Sequence, residues 1–113
     1  MNIEAENYAV KYPKGSATVS FEGTIRLGGM QEYAAILDLM NGALDESGNA
    51  ITLDFKALKL LNSSGITMMS KFVIGCRGKQ SQLKIVASKE VPWQGKSLKN
   101  LQRLLPSIEL IVE

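Results

Sequence analysis

The sequence predicts an α/β domain with a mixed, mostly parallel sheet, and three observations lead there. Apolar residues alternate in some stretches and recur at helical spacing in others. From residue 30 onward, strand-like runs are separated by helix-length segments, which calls for crossovers, parallel pairing and helices packed against the sheet. The 113 residues are 45% hydrophobic, enough for one core and a single domain spanning residues 1–113.

Residues 7–13, NYAVKYP, alternate and stop at Pro13, and Lys14-Gly15 supplies a turn. SATVSFEGTIRL then sets Ala17, Val19 and Phe21 opposite Thr18, Ser20 and Glu22, so the pair reads as an antiparallel hairpin. Gly23 marks a bulge or bend in the second run. From Met30, the residues Tyr33, Ile36, Leu37, Met40 and Leu44 form a helical stripe, with Gly48 as a stop. A short strand is expected at 50–55. In the second helix Ile66, Met69, Val73 and Cys76 share one stripe, with Met68 and Phe72 beside it and Gly78 able to end it. Residues 82–88 repeat the strand pattern. Pro92 suits a first helical turn, and Leu98, Leu101, Leu104 and Leu105 make the inner face of a third helix ending before Pro106. IELIVE closes the chain as a strand, giving the order β-β-α-β-α-β-α-β.

The composition excludes several chemistries. With no histidine and one cysteine, zinc sites, Ser-His-Asp triads and Cys-His nucleophiles cannot be built, so no metal and no cofactor is expected. Gly28-Gly29 runs into MQEYAA rather than a phosphate-loop sequence. The eleven acids are scattered without pairing spacing, which favours a binding module over an enzyme. Cys76 lies on the core stripe, where a thiol is inert packing, and Met68 and Met69 read the same way. Trp93 reads as a partly buried cover for a helix start. No basic-then-apolar leader and no membrane-length apolar run is visible, so a cytoplasmic protein with no membrane contact is the expectation.

Charge is uneven. Residues 1–55 hold three bases against eight acids, whereas residues 56–113 hold ten bases against three acids. Such asymmetry suits an acidic partner, but solvated faces explain it as well. Aromatics are too sparse among the bases for a nucleic-acid surface, which would want several interleaved with them.

The stretch LKLLNSSGITMM carries one polar residue more than a helix start needs. Asn62 or Ser63 can cap the helix, leaving a spare hydroxyl at Ser64. Residues 53–66, LDFKALKLLNSSGI, resemble the central segment of STAS domains, a family that includes bacterial anti-sigma-factor antagonists. There a strand ends in Asp, and a short loop leads to Asp-Ser-Ser-Gly and a helix. FEGTIRL, residues 21–27, is more weakly similar to the family's Gly-x-Leu-Asp segment.

The resemblance implies a STAS-like fold and a partner-switching role in signal transduction and transcription regulation. The implied partners are a serine kinase/anti-sigma factor of the histidine-kinase-ATPase type and a metal-dependent serine phosphatase. It places the phosphoacceptor at Ser64, with Ser63 as second choice, and partner binding at Arg26, Asn62, Ser63, Ser64, Gly65 and Ile66. Gly65 is expected to let the partner approach the backbone. Asn62 and Arg26 stand where antagonists usually carry acids, which implies a surface friendlier to phosphate or to an acidic partner. The terminal helix of many relatives has no counterpart before Glu113, so an open surface or pairing of two copies is expected. The alternative is a non-phosphorylated scaffold that binds a protein partner, a small anion or a nucleotide at the same helix start.

Overall fold

The computed structural model describes residues 1–113. Six strands and three helices follow one another as β1 (Asn2–Glu4), β2 (Tyr8–Lys11), β3 (Thr18–Ile25), α1 (Met30–Glu46), β4 (Ala50–Leu61), α2 (Ser63–Lys79), β5 (Gln82–Ala87), α3 (Pro92–Leu104) and β6 (Glu109–Val112). The strands lie in the sheet in sequence order. β1–β2 and β2–β3 pair antiparallel, and β3–β4, β4–β5 and β5–β6 pair parallel. The mixed sheet, the hairpin and the three crossover helices are as expected. β1 is an addition, because three residues of NIE are too short and polar to show a period.

α1 packs on α2 and α2 on α3, forming one layer over one sheet face. Val19, Phe21, Ile25, Ile51, Leu53, Phe55, Leu83 and Ile85 are buried in the same core cluster as Tyr33, Met40, Met68, Met69, Phe72 and Leu98. Between them Thr18, Ser20, Glu22, Thr52, Asp54 and Lys84 are only partly covered. These polar residues let the opposite face stand in water, although parallel strands are commonly covered on both sides.

β4 is twice the expected length. Its buried residues run Ile51, Leu53, Phe55 and then Leu58 and Leu61. Each step of three is an extra residue in the ladder to β3, where the register shifts between Ser20 and Glu22 and again between Gly23 and Thr24. The bulges keep every large apolar side chain on the helix side. Asp54 therefore sits inside the strand rather than at its end, and its carboxylate accepts from the Lys56 N–H at 3.0 Å beside the first bulge. Gly23 has φ +86°, and a Cβ there would strike the Asn7 carbonyl. Gly48, also at positive φ, follows the end of α1 as expected, whereas α2 runs past Gly78 to a left-handed Gln80.

Candidate functional site

Helices α1, α2 and α3 all begin at the carboxyl ends of parallel strands, the edge where open α/β sheets place their sites. At this edge the end of β3 and the end of β4 are neighbours, with Ile25 opposite Leu61. Asn62 follows at once and holds the two chain segments together. Its backbone N–H donates to the Ile25 carbonyl at 3.3 Å, and its Nδ2 donates to the Leu27 carbonyl at 2.8 Å.

Asn62 is also the cap of α2. Its Oδ1 accepts from the Gly65 N–H at 3.0 Å and from the Tyr33 hydroxyl at 2.6 Å. The same hydroxyl accepts from the Leu27 N–H at 3.3 Å, so Tyr33, Leu27 and Asn62 form a closed network. Desolvation at this buried position pushes the Tyr33 phenol above its ordinary pKa, against the opposing effect of the Leu27 N–H. A neutral Tyr33 can thus donate to Asn62 throughout the physiological range.

This geometry explains the amide. An aspartate could accept from Gly65 and Tyr33 but could not donate to Leu27, and its charge would face that carbonyl. Asn62 alone does the capping, so neither serine is needed for it. Ser63 is exposed and Ser64 half-buried in the first turn, and neither hydroxyl makes a hydrogen bond within the protein. No acid occupies that turn, so its positive end is uncompensated.

Two expected members sit differently. Gly65 is buried, and the close approach at that position is internal: a Cβ would lie 2.7 Å from the Tyr33 hydroxyl and from Leu61 Cγ. Ile66 is half-buried and packs against the core. Arg26 is exposed at the rim of a depression with Asn7, Tyr8, Thr24 and Leu27, while its neighbours Ile25 and Leu27 bond Asn62. Of the six residues, Asn62 with Ser63 and Ser64 form one cluster, Arg26 borders it, and Gly65 and Ile66 support it from within.

Residues outside that set build the neighbouring edge. Gln94 is fully buried; its Oε1 accepts from the Ser88 N–H at 2.8 Å, and its Nε2 donates to the Phe55 and Leu58 carbonyls at 2.6 and 2.9 Å. Half-buried Trp93 donates from Nε1 to the Leu58 carbonyl at 3.0 Å, as the cover that was expected of it. Both carbonyls flank the first bulge of β4. A glutamine three positions into a helix gives no sequence signal of this role, because the two carbonyls it reaches in β4 lie more than thirty residues away. Cys76 is buried on the core stripe, and desolvation pushes its thiol pKa up, away from the reactive thiolate. No helix is long and apolar enough to cross a membrane.

The fold belongs to the class of single α/β domains with three helices on one face of a six-stranded mixed sheet. Among solved structures it is similar to SiaC of Pseudomonas aeruginosa, with TM-score 0.72 and 14% identity over 100% of this chain and 96% of that one. A chain in the crystal structure of the diguanylate cyclase SiaD in complex with its activator SiaC, from the same organism, gives 0.72 and 14% over 99% and 97%. Apo-SiaC gives 0.70 and 11% over 100% and 98%. No protein-family model and no curated relative matches the sequence. At such identities the likeness is one of fold.

Proposed function

We propose that this chain is a regulatory protein-binding module whose partner docks on the start of α2 and the adjoining Arg26 loop. Binding is switched by phosphorylation of Ser64, with Ser63 as the second candidate. The observation that carries the proposal is the division of labour at the α2 start: Asn62 caps the helix, and two serine hydroxyls stand unpaired beside it. Phosphorylation adds about −1.5 to −2 charges and three acceptor oxygens. At an interface that charge repels or desolvates the partner without unfolding the domain, because the cap and the Tyr33 network do not use either serine.

The STAS resemblance points to a serine kinase of the histidine-kinase-ATPase type and an opposing metal-dependent phosphatase as the controlling partners. SiaC, which shares the fold, is described as an activator in complex with the enzyme SiaD, and this supports a protein as the regulated target here. Incubation with the cognate kinase and ATP, followed by intact mass and site mapping, tests the switch. Wild type is expected to gain one phosphate at Ser64, and Ser64→Ala none. Equal incorporation in both would remove Ser64 from the mechanism.

A second reading draws on the uncharged Asn62, hydrogen-bonded through both Oδ1 and Nδ2, and the acid-free first turn of α2. In it the same helix start holds a partner or a small anion without being phosphorylated. A saturable thermal shift with phosphate or a nucleotide favours the anion form of this reading, and flat titrations rule against that form.

A further inference from the structure

Charge is sorted across the helix layer. α1 carries Glu32, Asp38, Asp45 and Glu46 and no base, whereas α2 carries Lys71, Arg77 and Lys79, and α3 carries Lys96, Lys99 and Arg103, with no acid in either. None of these side chains enters an ion pair; the pairs present use Lys11, Lys56 and Lys84 from the sheet strands. Ile74, 47% exposed, is the one large apolar side chain left open on any helix, and Lys71 lies one turn before it. On the acidic side, Met1, Ile3, Ala35 and Leu39 line a shallow depression with Asp38 in its wall, and Met1 is 60% exposed.

A solvated basic face needs no exposed isoleucine, and a solvated acidic face needs no apolar hollow. Together they make complementary halves. We infer that two copies of this chain pair through these surfaces, Ile74 of one copy seated in the depression of the other and Lys71 facing Asp38. A second copy is the occupant because the chain itself carries both the opposite charge and the receiving hollow. A two-fold relation between the copies forms the contact twice and closes the assembly. The Ser64 switch plays no part in this pairing, so the two stand or fall separately.

Sedimentation velocity across a dilution series, at low and high salt, tests the pairing. The wild type is expected to form a dimer that dissociates on dilution and more readily at high salt. Ile74→Glu, Asp38→Lys and Lys71→Glu are each expected to raise the dissociation constant at least ~10-fold, as loss of a central contact does. Circular dichroism should show all three folded, because each side chain is exposed. Ile74→Ala and Asp38→Asn give the same direction with less risk to the fold.

Mixing Asp38→Lys with Lys71→Glu provides the decisive arm. In the heterodimer both contacts pair opposite charges, whereas in either homodimer both pair like charges. The mixture is therefore expected to recover the dimer. A wild type that stays monomeric at every concentration, a dimer indifferent to the substitutions, or a mixture that does not recover would each overturn the pairing.

Discussion

The starts of α2 and α3 face the same edge of the sheet and are built in opposite ways. α3 begins without a side-chain cap, with Val91 at the cap position and Pro92 following, and spends its first-turn side chains inward. Gln94 and Trp93 reach back to the Phe55 and Leu58 carbonyls, so this start closes a bulge in β4. α2 begins with a complete side-chain cap, and its first-turn hydroxyls point to no partner in the protein. One start completes the core; the other is held rigid and left chemically available. Availability on a fixed support is what the proposed switch at Ser64 requires.

The contrast breaks most visibly at Gln94. Gln94→Leu leaves the Ser88 N–H and the Phe55 carbonyl without their partner in a buried place, an expected loss of about 2–4 kcal/mol in urea unfolding. Gly65→Ala comes next, at about 1–3 kcal/mol, because the new methyl group crowds Leu61 and the Tyr33 hydroxyl. Asn62→Asp keeps the cap but removes the donor to Leu27, and about 1 kcal/mol is expected from the same measurement. An unchanged or raised stability there would show that the amide is not what ties the β3–α1 loop to α2. Ser64→Ala is expected to change stability by less than about 0.5 kcal/mol, since its hydroxyl bonds nothing. If Ser64→Ala cost as much as Asn62→Asp, the serine would be a structural residue and the division between cap and hydroxyl would fail.

The sequence discloses the fold through its periods and blurs where the periods break. The hairpin, the three helices and strands β5 and β6 follow from alternation, helical stripes, Gly48 and Pro92. β4 was expected to stop at Phe55 because KALKLL does not alternate; two bulges restore its facing, and a bulge disguises a strand from any period-two reading. The α2 start was legible as a cap with a spare hydroxyl, yet the choice between Asn62 and Ser63 was not. That choice rests on Tyr33 and Leu27, which lie 29 and 35 residues from Asn62 and meet it only in the folded chain. Gly65 was legible as a place of close approach, but the sequence does not say whether a partner or the protein's own Tyr33 does the approaching.

The Ser64 hydroxyl makes no hydrogen bond within the protein, and the proposed switch rests on it. Phosphosite mapping of the protein recovered from its own cells, with wild type and Ser64→Ala in parallel, tests it most directly. Phosphate is expected on Ser64 of the wild type and none on the variant. Phosphate found elsewhere, or in equal amount on both, would contradict it.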